Sequence, residues 1–165
     1  MNVLVAFCHP VPDSFGACLR DATVASLGAH ETEVIDLYEG RDLPRGFTDE
    51  DAATLAWANA VILIYPTWWA SLPAPLMGWV EAGLDRDGWS HLRRVVAITT
   101  HGSSRLVNVL TGGVGRRIVR RGLPRLMATG AYGRFIPLFG MDTIDDTTRH
   151  EFLESLPPAL TRALR

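Results

Sequence analysis

Three stretches of this chain combine side chains and spacing that could hold a ligand. The first, Cys8-His9-Pro10-Val11-Pro12-Asp13-Ser14-Phe15, is a proline-stiffened loop that enters a predicted helix. A helix N-terminus presents free amides and a partial positive charge, so a phosphate group fits there, with Ser14 adding a hydroxyl and His9 an imidazole. The plainer reading is that Ser14 caps its helix and His9 packs locally. The second stretch, Tyr65-Pro66-Thr67-Trp68-Trp69-Ala70-Ser71, puts two adjacent tryptophans in a loop. That much apolar area is costly to leave in water, and a flat wall beside backbone amides suits a planar ring system. Alternatively, one tryptophan is core and the other meets a partner subunit. The third stretch is Thr99-Thr100-His101-Gly102-Ser103-Ser104-Arg105. Gly102 lets the backbone approach a ligand closely, and the hydroxyls and amides can bond the polar edge of a heterocycle.

These stretches gain weight from the elements that must position them. Strand-like runs are predicted at Val3–Phe7, Glu33–Leu37, Ala60–Tyr65, Arg94–Thr99 and Tyr132–Leu138. Most are β-branched and apolar throughout, which marks strands covered on both faces. Helical stretches alternate with them. One opens at Asp13-Ser14 and carries Phe15, Cys18, Leu19, Ala22 and Ala25 on one side; others span Asp49–Asn59 and Pro73–Leu84. A glycine-interrupted helical region follows over Leu106–Arg121, and a last helix starts near Asp145 and is expected to break at Pro157-Pro158. This alternation predicts a single α/β domain over residues 1–165: a doubly wound, five-stranded parallel sheet of order 2-1-3-4-5 with helices on both faces. Ligands bind such sheets beyond the carboxyl ends of the strands, at the switch point between the first and third, where all three stretches converge.

Composition narrows the function. Net charge is −2, which argues against a nucleic-acid partner, and all 16 basic residues are arginine. Without a lysine amine, Schiff-base chemistry and standard P-loop phosphate binding are excluded. No apolar run reaches the roughly 18 residues of a membrane span, and no signal peptide is recognisable, so a cytoplasmic location is expected. Cys8 and Cys18 read as buried small hydrophobes, and His30, His91 and His150 as surface histidines without metal-ligand spacing. The run Arg116, Arg117, Arg120, Arg121 and Arg125 could hold the 2′-phosphate of NADPH or touch a nucleic acid; its plainer reading is a solvated helix face paired with neighbouring carboxylates.

Three blocks resemble the flavodoxin-like NAD(P)H:quinone oxidoreductases, including the ancillary oxidoreductases of bacterial potassium-efflux systems. His9 with Ser14-Phe15 is similar to that family's phosphate loop. Tyr65-Pro66-Thr67-Trp68-Trp69 with Pro73-Ala74-Pro75-Leu76-Met77-Gly78-Trp79 resembles its long signature, and Thr99-Thr100-His101-Gly102 its Thr-Thr-x-Gly loop. The resemblance implies a flavodoxin-like fold, bound FMN (alternatively FAD), NAD(P)H as electron donor, a quinone-like acceptor, a homodimer, and two-electron ping-pong hydride transfer. By analogy His9, Ser14, Phe15 and Gly16 would hold the phosphate and ribityl chain. Pro66, Thr67, Trp68, Trp69 and Ala70 would line the ring, and Thr99, Thr100, His101 and Gly102 its pyrimidine edge. No catalytic side chain and no metal are assigned, because the flavin would carry the chemistry.

The chain also departs from that pattern. Counting from the Thr-Thr loop puts Val107 and Gly113 where some members carry a tyrosine and a histidine that assist hydride transfer, and the signature lysine is Met77. The substrate-covering loop is shortened to Gly88-Trp89-Ser90, which implies an open site, a bulky acceptor or lost activity. These departures support an alternative, a catalytically weak flavin-binding regulatory subunit of a membrane transporter. A one-electron flavodoxin carrier would need a Thr/Ser-rich phosphate loop and an acidic face. A response-regulator receiver would need clustered aspartates and a lysine. Neither set is present.

Overall fold

The computed structural model describes residues 1–39 and 44–165. Its elements run β1 (Asn2–Phe7), α1 (Phe15–Ser26), β2 (Glu31–Asp36), α2 (Asp49–Trp57), β3 (Ala60–Pro66), α3 (Ala74–Asp85), β4 (Arg94–His101), α4 (Arg105–Leu110), α5 (Val114–Arg117), β5 (Tyr132–Phe139) and α6 (Asp146–Leu164). The five strands form one sheet in the order β2-β1-β3-β4-β5, as expected. Every pairing is parallel, with Val5 opposite both Val34 and Ile62, and Ile98 opposite Ile64 and Ile136.

Parallel strands buried on both faces need apolar side chains at every position, and β1 and β3 have them. Alternate residues feed two cores. Leu4, Ala6, Val61 and Leu63 face one layer, with Trp79 and Trp89 above them. Val3, Val5, Ile62 and Ile64 face the other, against Leu19, Leu27, Leu156 and Leu160. The two edge strands are the exceptions, with Glu31, Glu33 and Val34 exposed in β2 and Tyr132 and Arg134 in β5. Charges on an exposed edge discourage pairing with another chain.

Two helical expectations need correction. α6 does not break at Pro157-Pro158 but continues to Leu164. Both prolines lie on the exposed side of the helix, where carbonyls freed of their amide partners can be hydrated. Beyond them Leu160, Ala163 and Leu164 are buried. Each leucine is worth about 1.5–3 kcal/mol on burial, the same order as the roughly 3 kcal/mol that an interior proline costs. In α1 the inward stripe is Ala17, Leu19 and Thr23, so Cys18 is exposed, while Cys8 is buried as expected. Burial pushes the Cys8 thiol up to about 12, which keeps it protonated and inert.

The glycine-interrupted region is broken more thoroughly than its sequence suggests. After α5 the chain makes a π turn over Ile118–Gly122 and a 3-10 turn over Leu123–Leu126. The reason lies in β5. A Cβ on Gly133 would overlap the carbonyl oxygen of Val119 and sit 2.9 Å from its carbonyl carbon and 3.0 Å from Arg120 Cα. The π turn therefore rests on a strand position that only glycine can fill. Gly133→Ala should cost about 2 kcal/mol, because backbone rather than a flexible side chain must give way. An unchanged urea midpoint would show that the turn is free to move.

Candidate ligand site at the strand carboxyl ends

The carboxyl ends of β1, β3 and β4 carry the three stretches singled out by sequence. At the first, Phe7 leads through Cys8, whose amide still bonds to Ile64 O at 2.9 Å, into the loop that opens α1. His9 Nδ1 lies 3.0 Å from the Val11 amide and 3.1 Å from the Val11 carbonyl oxygen, accepting from the first or donating to the second according to its tautomer, and Nε2 is the ring nitrogen left over. Burial lowers the His9 pKa, against the bond to Val11. Ser14 holds the N-cap position of α1, yet its side chain makes no capping bond, and its Oγ is buried without a partner. The capping alternative therefore does not account for Ser14. A Cβ on Gly16 would lie 3.1 Å from His9 Cδ2 and 3.2 Å from Ser14 Oγ, which brings those three residues together. Phe15 turns back into the core beneath them.

At the second and third stretches, β3 and β4 end side by side. Pro66 pairs with Thr100, and the Thr67 amide bonds to Thr100 O at 2.7 Å. Thr67 Oγ1 lies 2.8 Å from Thr99 Oγ1 and 3.3 Å from His101 Nε2, a polar chain across the strand ends. His101 stacks on the Phe139 ring at 4.7 Å and meets Phe135 edge-on. Beyond Thr67, Trp68 and Ser71 exchange amide–carbonyl bonds of 3.2 and 2.9 Å around a tight turn. Its two central residues, Trp69 and Ala70, have φ of 51° and 60°. Such left-handed φ values are costly away from glycine, of order 1 kcal/mol or more each, and such strain gathers at ligand-binding turns. The turn leaves Trp69 99% exposed.

Two adjoining clefts open at this end. The smaller, about 460 Å³, is lined by Thr67, Trp69, Ala70, His101, Gly102 and Asp142 among others. The larger, about 870 Å³, shares Ala70, His101 and Asn108 with it. His9, Ser14, Phe15 and Gly16 line neither of these two clefts. Asp142 was not foreseen. Its Oδ2 would be 2.6 Å from a Cβ on Gly102, so this glycine accommodates a carboxylate of the chain itself.

The remaining departures can now be placed. Val107 lines the smaller cleft and Gly113 the larger, and neither offers a proton-transfer group. Met77 packs against the core. Gly88-Trp89-Ser90 connects α3 to the start of β4, at the opposite end of the sheet. There Trp89 is fully buried against Gly83 and Trp79, so this segment does not cover the site of its own chain. Among the described residues no group of His, Cys, Asp and Glu could hold a metal, and no helix is long and apolar enough to cross a membrane. The arginine run does not pair with carboxylates: Arg116, Arg117, Arg120, Arg121 and Arg125 are exposed and form no ion pair among the described residues.

Comparison with known proteins agrees with this architecture. Residues 1–125 match the family described as flavodoxin-like fold, and the chain belongs to that family. A ribosyldihydronicotinamide dehydrogenase-like protein of Penicillium crustosum is 30% identical over 49% of this chain, which spans 43% of that relative. A solved protein of Streptococcus mutans superposes with a TM-score of 0.79 at 21% identity, covering 96% of this chain and 98% of that one. An NAD(P)H:quinone oxidoreductase from Methanothermobacter marburgensis gives 0.70 at 24% identity, covering 96% and 94%. An FMN-dependent NADH-azoreductase from Bacillus anthracis, solved with FMN, also gives 0.70, at 13% identity, covering 98% and 97%. At these identities the solved neighbours establish the shared fold.

Proposed function

We propose that this chain is a flavin-dependent NAD(P)H oxidoreductase that reduces quinones or similar aromatic acceptors, with FMN as its flavin. The observation that carries the reading is Ser14 Oγ, buried and without a partner beside the opening amides of α1. An unsatisfied buried hydroxyl is costly, and a phosphate oxygen there would satisfy it with the helix amides. The residues fit the cofactor: His9, Ser14 and Gly16 would take its phosphate and ribityl chain. Pro66, Thr67, Trp68, Trp69 and Ala70 would flank its ring, and Thr99, Thr100, His101 and Gly102 its polar edge. The flavin, when bound, supplies two-electron hydride chemistry in a ping-pong sequence, from NAD(P)H and then to the acceptor.

The chain's own residues do the positioning. The Thr99–Thr67–His101 chain fixes donors and acceptors at the strand ends, and the strained Trp69-Ala70 turn projects an exposed ring over the smaller cleft. Trp69 and the α4 side chains Leu106, Val109 and Leu110 are exposed, and apolar surface of this kind suits a second copy of the chain. Purified protein should show the visible flavin bands, bleach on anaerobic addition of NADPH, and sediment as a dimer. Ser14→Ala should weaken FMN uptake by about tenfold, the loss of one hydrogen bond to a charged group. A colourless protein that takes up no flavin would sink the reading.

A second reading is favoured by Val107 and Gly113, which line the clefts without a proton-transfer group. On it the chain is a flavin-binding regulatory subunit whose apolar α4 face docks on a membrane transporter. Flavin bands that persist in excess NADPH would select it.

A further inference from the structure

The larger cleft has a composition that flavin binding does not require. Arg105, Arg116, Arg117, Arg120, Arg121 and Arg134 all line it, and no Asp or Glu does. Five of them come from α4, α5 and the π turn; Arg134 comes from β5 across the cleft, where it stands exposed next to Gly133. None forms an ion pair or a side-chain hydrogen bond to a carboxylate among the described residues. Six like charges around one concavity repel one another and focus a positive potential into it. Arginine forks match phosphate oxygens in pairs, so the chemistry these side chains seek is a phosphorylated ligand with several anionic groups.

The rest of the lining narrows the class. Phe135, Pro137 and Phe139 give an apolar wall suited to a purine or ribose face. The cleft is continuous with the smaller one through Ala70, His101 and Asn108. The smaller cleft has no arginine and holds the carboxylate of Asp142. A ligand spanning both therefore needs one end dense in phosphate and another end, uncharged or cationic, beside Trp69 and Thr67. A nicotinamide dinucleotide phosphate is built that way, and it differs from the unphosphorylated dinucleotide only by a phosphate at the arginine end.

We propose that the arginine cleft binds the phosphorylated adenosine end of the hydride donor and makes the protein selective for NADPH over NADH. This deepens the oxidoreductase reading and rests on it for the donor role. The binding site itself is tested with fragments that lack nicotinamide. In calorimetry, adenosine 2′,5′-bisphosphate should bind at least tenfold tighter than 5′-AMP. Raising salt from about 0.05 to 0.5 M should weaken the bisphosphate more, because these charges are exposed and screened. The double variant R116Q/R120Q, folded by near-ultraviolet circular dichroism, should lose at least that tenfold preference. In steady state its ratio of kcat/KM for NADPH to that for NADH should fall by a similar factor.

Equal binding of the two fragments, or a variant that binds the bisphosphate as the wild type does, overturns the proposal. So does tighter binding of mixed-sequence duplex DNA than of the bisphosphate, which would make the cleft a nucleic-acid surface. A protein that takes up no flavin yet discriminates the bisphosphate upholds the cleft and removes the reductase reading. A working flavoprotein indifferent to the 2′-phosphate does the reverse.

Discussion

Asp51→Ala should destabilise the protein by about 3 kcal/mol, the scale on which removing one partner strands a buried charge. Asp51 is fully buried, and its carboxylate accepts from both terminal nitrogens of Arg45, at 2.6 and 2.7 Å. The same carboxylate takes the Thr48 amide at 2.8 Å, while Thr48 Oγ1 accepts from the Asp51 amide: a capping box at the start of α2. Arg45, only 14% exposed, also reaches Glu39 and the carbonyls of Asp36 and Gly46, so it ties the end of β2 to the start of α2. Alanine at 51 removes the carboxylate half of the capping box and both bonds of the terminal guanidinium nitrogens to Asp51 at once. Pairing Asp51→Leu with Arg45→Met should recover part of the loss, because it removes the largely buried guanidinium that would be left with only Glu39 as its carboxylate partner among the described residues; urea midpoints of the single and double variants measure it. A single variant within about 0.5 kcal/mol of wild type, the range of ordinary surface changes, would show that the pair is not a clamp.

The same pair sets an acid limb. Burial alone would raise the Asp51 pKa, but the bonds from Arg45 and Thr48 outweigh it and hold the carboxyl below its usual value. A folded-state pKa below the unfolded one gives stability that is complete above the unfolded value, about 4. That stability is lost as pH falls through the folded value.

That clamp also shows what the sequence withheld. Thr48-Asp49-Glu50-Asp51 is a readable helix start, a Thr with an acid three residues on, but nothing local says that Arg45 folds back onto it. The sheet was legible because apolar, β-branched runs at β1, β3 and β4 report burial on both faces wherever they occur. The alternation of strands and helices then leaves few topologies. What failed depended on contacts across the chain. Helix breaking at Pro157-Pro158 is a local rule, and it yielded to the burial of Leu160 and Leu164 against a core assembled by β1 and β3. The π turn answers to Gly133, fourteen positions beyond Val119 in the sequence. The arginine run could be read as a run, but Arg105 and Arg134 join it only once β5 lies beside β4. Candidate ligand residues were legible as strand-end loops, whereas Asp142 was not, since it reaches Gly102 from the turn that follows β5.

The second large effect should come from His101 on mild acidification. The residue is 5% exposed, and burial pushes its pKa down from 6.5 to about 4. In the unfolded chain the imidazole takes its proton as pH falls through about 6.5, while in the folded chain it stays neutral down to about 4. Between those values the unfolded state binds more protons, so stability rises with pH. The His101 contribution is whole above the upper value and gone below the lower one. The difference corresponds to roughly 3 kcal/mol, and it acts at higher pH than the limb set by Asp51. His9, whose pKa burial also lowers, adds a slope of the same sign, so the test must be differential. His101→Gln keeps a polar partner for Thr67 but cannot titrate. Urea unfolding at pH 7 and pH 4.5 should then show a pH-dependent loss smaller by about 2 kcal/mol in the variant. Parallel losses in the two proteins would mean that His101 titrates as freely as in the unfolded chain. A neutral ring at working pH also fits its place in the site: it stacks on Phe139, and its Nε2 shares a hydrogen bond with Thr67, which an imidazolium could keep only as a donor. An imidazolium there would have to be desolvated beside two phenylalanines, so acidification should loosen the same strand ends proposed to hold the flavin.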